Sequence, residues 1–478
     1  MTQTPATTDI LSTLAGIVGD KYVLSDAAAM ETYCVDWFGR FRAEGLCVVL
    51  PATTAEVSDV LAACYAAGVP VVPQGGNTSV CGASIPLGVA GAVVLCLSRM
   101  NRILALDAQG QSMTVEAGCI LAKVQEAAAD AGLLFPLSLS AEGTCQIGGN
   151  IATNAGGISA LKYGSMRDLV IGLEVVLPDG RIWGGLKVIR KDSTGMDLKS
   201  IWIGTEGTLG VITAAVLKLF PAEGTSVDAW VGLDSPADAL TLLADMRKAF
   251  GAGLTAFELM SKAQVAMVHD HVHGTRAPLE SVSDWAVLMQ VSAPNDGDGL
   301  VDLVETHLAA AMEAELVNDA VVARSLSQAQ DFWHIRHSMS DAMKEAGMSL
   351  THDVAVPISM VPDYIATTEK ELGCRFPDAI GAVVCHLGDG NVHYNVTFPR
   401  QVWDGVDDKP GTIEEIRHLV QKTAVDQGGT FVAEHGIGRK NRAAAAEFKS
   451  PVEREIVAAL RAALDPKGLM NPDTGVPA

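Results

Sequence analysis

The residues best suited to chemistry are His386-Leu387-Gly388-Asp389-Gly390-Asn391-Val392-His393. An Asp-Gly pair flanked by apolar runs, here Ala382-Val383-Val384 before it and Val392, Tyr394 and Val396 after it, is a strong hairpin signal. A two-residue loop at Asp389 and Gly390 pairs 388 with 391, 387 with 392 and 386 with 393. That register makes His386 and His393 direct neighbours on one face, with Cβ atoms about 4.5–5.5 Å apart. Two imidazoles placed this way can share one metal ion.

Glu434 is the candidate third ligand, since it closes the expected strand Thr430-Phe431-Val432-Ala433 and precedes Gly436. Two imidazoles and a carboxylate with open positions suit Zn²⁺, Mn²⁺ or Fe²⁺. The next residue, His435, is a candidate base. Consecutive strand residues face opposite sides, so Glu434 and His435 can serve one site only if the strand breaks, and Gly436 and Gly438 could supply the break. Read from these residues alone, a hydrogen-bonded core pair of histidines stands beside the metal site as an alternative.

A chain of 478 residues exceeds what one core supports, so two or more domains are expected. From residue 47 short β-rich runs alternate with helical stretches. Cys47 to Leu50 reads as a strand, Thr54 to Ala67 as a helix capped by Thr53 or Thr54, and Pro70-Val71-Val72 as the next strand. Glycine then concentrates at 73–79, 148–157 and 204–210, and Pro178-Asp179-Gly180 reads as a turn. An apolar strand, Val211 to Leu219, stops at Pro221. Beyond it strands alternate with amphipathic helices, among them Tyr364–Leu372, Glu414–Gln427 and Val452–Leu464.

Glycine loops after buried strands offer backbone N–H groups to an anionic pyrophosphate. The Gly-x-Gly-x-x-Gly fingerprint is absent in its usual setting, so a dinucleotide would be cradled by loops. A formal charge of −22 argues against nucleic acid and anionic membrane surfaces. Nine scattered cysteines without a Cys-x-x-Cys pair fit a reducing, cytoplasmic setting. The N-terminal residues lack a secretory pattern, and no apolar run approaches the roughly 18 residues of a membrane span, so no integral membrane segment is expected.

The segments Pro73 to Ser79, Ile147 to Gly157 and Gly204 to Thr213 resemble the flavin-binding half of vanillyl-alcohol-oxidase type enzymes. With His386 to Asn395, Ala433 to Gly438 and Asp465 to Pro472 added, the chain resembles the FAD-linked D-2-hydroxy-acid dehydrogenases acting on D-2-hydroxyglutarate, D-lactate or glycolate. The resemblance implies an α+β fold: an FAD-binding domain over 1–221, a substrate or cap domain with antiparallel sheet and flanking helices over 222–445, and a C-terminal segment, 446–478, returning to the first. It implies FAD contacts from Pro73, Gly75, Gly76, Asn77, Thr78 and Ser79, from Ser140, Gly143, Gly149, Asn150 and Asn154, and from Glu206, Gly207 and Ile212. Ser79 stands where the pattern more often has glycine, and Cys81 lies beyond the loop, so FAD is expected to bind non-covalently.

The resemblance also favours zinc or manganese at His386, His393 and Glu434. A divalent ion chelated by the C2 hydroxyl and C1 carboxylate would lower the hydroxyl pKa, and His435 would take the proton. Arg336 is placed on the substrate carboxylate, where guanidinium geometry suits the task. Ser340, one helical turn on, and Asn395 are further candidate contacts. Thr351 stands where D-2-hydroxyglutarate enzymes typically carry a lysine for the distal carboxylate, with Lys344 or His352 as substitutes. The expectation is FAD- and metal-dependent oxidation of a small anionic D-2-hydroxy acid, D-2-hydroxyglutarate first and D-lactate as the alternative. The electron acceptor would be a quinone, a cytochrome or an electron-transfer flavoprotein, and a homodimer is allowed. A non-redox metal hydrolase and a silent nucleotide-binding protein are the readings from other classes.

Overall fold

Cys47-Val48-Val49 is buried along its whole length and forms a strand, after which Thr53 starts the helix Thr54–Ala67. The Thr53 hydroxyl accepts the N–H of Glu56 at 3.1 Å, satisfying one of the open donors of the first turn. Gly68 ends the helix at φ +69°, a left-handed C-cap that a residue with a Cβ adopts at a cost. The next strand, Val71–Gln74, completes a strand–helix–strand rhythm. The structure, a computed structural model, describes residues 5–293, 297 and 299–477.

The chain divides into two units, the first made of 1–157, 163–222 and 434–478, the second of 158–162 and 223–433. The expected passage near 221 falls at 222/223, and the return falls at 433/434, where 445 was expected.

In the first unit Val23–Leu24, Cys47–Val49, Val93–Cys96 and Val71–Gln74 lie side by side in that order, the last three parallel. A second sheet orders Ile103–Asp107, Ser112–Glu116, Val211–Lys218, Val170–Val176 and Ile182–Gly185, antiparallel throughout. One core, from Leu14 through Val49, Leu121, Ile147 and Val216's neighbour Leu217, fills the space between. The C-terminal segment adds to this unit by backbone pairing: Val71 N–H donates to Leu469 O at 2.9 Å and Asn471 N–H to Val71 O at 2.8 Å.

The second unit is one seven-stranded antiparallel sheet, ordered Asp319–Val322, Ser226–Leu233, Trp285–Ser292, Leu254–Ser261, Ile380–His386, Asn391–Phe398 and Met348–Ala355. Its two faces differ because strand side chains alternate. One face, with Phe257, Leu259, Val383, Cys385 and Val392, packs as an apolar core with residues of the helices Pro236–Phe250, Leu300–Glu313, Val361–Arg375 and Lys409–Asp426. The other carries a smaller core of Trp230, Met260, Leu288 and Val384 with Phe332, Ile335 and Met339 from the helices Leu326–His337 and Met339–Ala346. On that same face the interior residues turn polar. Among the described residues no helix is long and apolar enough to cross a membrane.

Candidate active site

The hairpin forms where Asp389-Gly390 predicts it, but with a different register. His386 pairs with Asn391 and Val384 with His393, so the loop has four residues, 387–390. A two-residue type I′ loop requires positive φ at both central residues. Here Gly390 is at φ +81° while Asp389 is not among the positive-φ residues, and the His386 carbonyl accepts the N–H groups of Asp389 and Gly390, both at 3.1 Å. A Cβ on Gly390 would sit 2.2 Å from the Val356 carbonyl oxygen. Arg247 adds a tether by donating to Gly388 O.

The register moves by two residues, so the side chains keep their face. His386 and His393 are diagonal neighbours, and their Nε2 atoms converge to 3.4 Å. Behind His386 lies Glu258, 1% exposed, whose Oε1 is 2.7 Å from His386 Nδ1. Burial alone would raise the Glu258 carboxyl, but His386 and Arg336 outweigh it and hold it down at about 2. An ionised carboxylate only accepts, so the proton of this contact is carried by His386 Nδ1, and Nε2 is the nitrogen turned toward His393. His393 Nδ1 is 3.8 Å from Asp353 Oδ1, and Asp353 also accepts from Asn391 Nδ2 at 2.8 Å. Two imidazoles with carboxylates behind them and Nε2 atoms converging fit a divalent ion.

Arg336 is on the helix Leu326–His337, with Nε and Nη2 each 2.7 Å from Glu258 Oε2. Its side chain is 13% exposed. Trp333, one turn earlier, donates Nε1–H to Asp228 Oδ1 at 2.8 Å. Asn395 is buried on the histidine face, its Nδ2 donating to Gln264 Oε1 at 3.3 Å. Ser340 lies beyond a break at Ser338, exposed on the next helix, so the turn-by-turn argument linking it to Arg336 does not hold. Thr351 is half-buried opposite Asn395. Strand alternation turns His352 to the other face, where Nδ1 meets Tyr394 O at 2.9 Å, and Lys344 pairs with Asp341 at 3.0 Å near the surface.

Thr430–Ala433 is not the expected strand. Thr430 makes a single bridge to Ala355, Ala433 N–H donates to Asp353 O at 3.2 Å, and the chain then bends through Gly436 at φ +83° and Gly438 at φ +53°. Without a strand, the alternation objection to using Glu434 and His435 together disappears. Their side chains approach each other to 3.8 Å, His435 Nε2 to Glu434 Oε1.

The first unit holds the glycine loops. Asn77, at φ +53°, spends its side chain on the loop itself, donating to Thr32 O and Val35 O and accepting from Ser84. Asn154 likewise accepts from Ser165 Oγ and Arg167 N–H. A Cβ on Gly76 would meet Thr144 O at 2.2 Å, so that glycine is needed for packing. Gly143 and Gly149 instead face open space within 4 Å, which leaves room for a ligand. Thr78 and Ser79 are half-buried, Ser140 is exposed, Asn150 and Ile212 are buried, and Gly207 packs on Pro73. Loops with backbone bared and room beside it fit a flavin dinucleotide.

Glu206 is buried at φ +53°, and both its oxygens accept the Gly438 N–H, at 2.9 and 3.1 Å. Burial pushes its carboxyl up to about 7. Cys81 Sγ donates to His435 O at 3.3 Å, and burial, with Glu206 beside it, pushes the thiol up to about 12. Sequence reasoning missed Glu258, Asp228 and Gln264. A lone carboxylate in the apolar run Leu254-Thr255-Ala256-Phe257-Glu258-Leu259-Met260 was the available signal, since buried charges survive only when paired.

Two family descriptions match: "FAD linked oxidases, C-terminal domain" over 225–474 and "FAD binding domain" over 45–184. The chain is 35% identical to a D-2-hydroxyglutarate dehydrogenase of Rattus norvegicus, covering 95% of this chain and 83% of that one. It is 34% identical to a Schizosaccharomyces pombe protein provisionally named D-lactate dehydrogenase, covering 94% and 85%. Its fold is similar to that of p-cresol methylhydroxylase, with a TM-score of 0.73, 14% identity and coverage of 99% and 98%. The chain belongs to the FAD-linked oxidase family, among the FAD-linked D-2-hydroxy-acid dehydrogenases.

Proposed function

We propose that the chain oxidises a D-2-hydroxy acid to the 2-oxo acid with FAD and a divalent ion, D-2-hydroxyglutarate being the leading substrate. The observation that carries this is the pair of converging imidazole nitrogens, one backed by a buried carboxylate that also grips Arg336. Glu434 is the proposed third ligand. It directly follows Ala433, which is hydrogen-bonded to Asp353, the cross-strand partner of His393. Zinc and manganese both suit two imidazoles and one carboxylate.

FAD, when bound, supplies the hydride acceptor, and the ion supplies Lewis-acid polarisation of the hydroxyl. The protein's own work is to bind, orient and move a proton. Arg336 takes the C1 carboxylate, Asn395 contacts the acid from the histidine face, and His435 Nε2 receives the hydroxyl proton. The segment bearing His435 is pinned by Glu206 at Gly438 and by Cys81 at the His435 carbonyl. The raised pKa of the buried thiol makes Cys81 a poor nucleophile, which supports non-covalent FAD.

A second reading, D-lactate or another small hydroxy acid, is favoured by Thr351. It sits opposite Asn395, one row from the His393–Asp353 pair on the same face, about 7 Å along the strand. An uncharged residue there gives a distal carboxylate no cation, and Ser340 is left as an outer candidate contact. The nine free cysteines support a reducing compartment, although the rat relative is named mitochondrial. A quinone, a cytochrome or an electron-transfer flavoprotein would accept the electrons.

The test is anaerobic bleaching of the flavin by a panel of D-2-hydroxy acids. Bleaching by D-2-hydroxyglutarate ahead of D-lactate and glycolate is expected. A yellow protein bleached by none of them would refute the reading, and bleaching by D-lactate first would select the second.

A further inference from the structure

Glu258 divides its two oxygens between two groups with separate tasks. Oε1 takes His386 Nδ1 at 2.7 Å, and Oε2 takes Nε and Nη2 of Arg336, both at 2.7 Å. We propose that Glu258 is a positioning residue that registers the metal-facing nitrogen of His386 against the substrate-facing guanidinium of Arg336. The inference rests on the reading that His386 binds the ion and Arg336 the hydroxy acid.

Several observations converge on this role. Glu258 is in the interior strand Leu254–Ser261, paired on one side with Trp285–Ser292 and on the other with Ile380–His386, so its backbone is fixed from both edges. Glu258 and His386 are direct cross-strand partners. A carboxylate buried purely for stability is a poor investment, since an apolar residue of similar volume does as well or better. Here three donors converge on one carboxylate, and the donors come from a strand and from a helix far away in sequence. That helix has a second tether on the same sheet face, Trp333 Nε1–H to Asp228, itself held by Gln290 at 2.9 Å. The helix therefore cannot roll about the Glu258 contact. His386 is fixed in this way by Glu258.

The substitution Glu258→Gln keeps shape and size but loses the charge and offers an NH₂ to donors. FAD-loaded enzyme stripped of metal by a chelator is titrated with Mn²⁺, following the free ion by electron paramagnetic resonance. Glu258→Gln is expected to weaken Mn²⁺ binding about 10- to 100-fold, the usual effect of losing such a partner. It should also raise KM for the hydroxy acid while flavin content stays at the wild-type level. Glu258→Asp, one methylene shorter with the charge kept, should recover part of the Mn²⁺ affinity. A merely structural role would lower Tm and leave the Mn²⁺ affinity of the folded variant at the wild-type value, and that result overturns the inference. Should Glu258→Gln not fold, ¹⁵N resonances of the metal-free wild-type enzyme decide: an Nδ1–H tautomer at His386 supports the role, and an Nε2–H tautomer overturns it. Wild-type enzyme that binds no Mn²⁺ overturns the metal reading and this inference together, whereas equal binding by wild type and Glu258→Gln overturns this inference alone.

Discussion

A methyl group added at Gly149 separates packing from cofactor recognition, because the two effects have opposite signs. Gly149 lies in the helix Ile147–Ala152, and a Cβ built there meets nothing within 4 Å. In the flavin-free protein Gly149→Ala is therefore a helix-favouring change, worth about 0.5–1 kcal/mol. That corresponds to a rise in Tm of roughly 1–4 °C for a unit of this size. If the open space is where FAD lies, the same methyl intrudes on the ligand. Overpacking of this kind costs about 1–3 kcal/mol, or roughly 5- to 150-fold in Kd. Gly148→Ala is the contrast, since its Cβ would be 2.7 Å from Ala117 Cβ and should destabilise the flavin-free protein as well. The assay pairs thermal melting of the flavin-free protein with FAD titration by fluorescence quenching. Unchanged FAD affinity in Gly149→Ala would show that this backbone does not face the cofactor, and a fall in Tm would show that the space is not open.

Four further outcomes are expected. His386→Ala, like chelation of the metal, should abolish bleaching by substrate with flavin retained; bleaching at the normal rate would remove the metal from the reaction. Gly390→Ala forces a side chain into φ +81° and against Val356 O, costing at least about 1–2 kcal/mol and weakening Mn²⁺ binding through the displaced His386; a wild-type melting curve and Mn²⁺ titration would refute this. Glu206, with a folded-state value of about 7 against 4.5, binds its proton more tightly when folded, so stability of the flavin-free protein falls as pH rises through that window; Glu206→Gln should flatten the Tm profile there, and an unchanged slope would refute the assignment. Thr351→Lys should raise kcat/KM for D-2-hydroxyglutarate relative to D-lactate, and an unchanged ratio would take Thr351 out of distal recognition.

The legible parts of the chain were those set by local chemistry. The helix Thr54–Ala67 has the expected bounds, with Thr53, one of the two expected caps, at its start. The hairpin at Asp389-Gly390 was legible in place but not in register, because register depends on the φ of Asp389 and on Gly390 tucking beneath the Val356 carbonyl, a contact made by a distant segment. The histidine pair survived that error because a shift of two residues preserves the face. Glu258 was not found for the opposite reason. Its partners His386 and Arg336 lie 128 and 78 residues away, and nothing in the intervening chain ties them together. Thr430–Ala433 read as a strand from its β-branched and apolar residues, but with one bridge to Ala355 the segment makes no ladder.

The placement of these groups across the sheet explains how one scaffold can keep its chemistry while changing its substrate. Of the groups proposed to grip what every 2-hydroxy acid shares, His386 and His393 stand on interior strands, as does Glu258, which holds the helical Arg336, and each of these strands is paired on both sides. The opposite face of the same strands is a continuous apolar core, so an altered side chain there disturbs packing and moves the ligands. Thr351, by contrast, is on Met348–Ala355, the edge strand, and is only half-buried. Substitution at an edge costs little stability, since one side of the strand carries no ladder to disrupt. The position proposed to discriminate among acids therefore sits where change is tolerated, and the proposed catalytic grip sits where it is not. An exchange at Thr351 is then expected to leave the backbones that carry His386 and His393 in place.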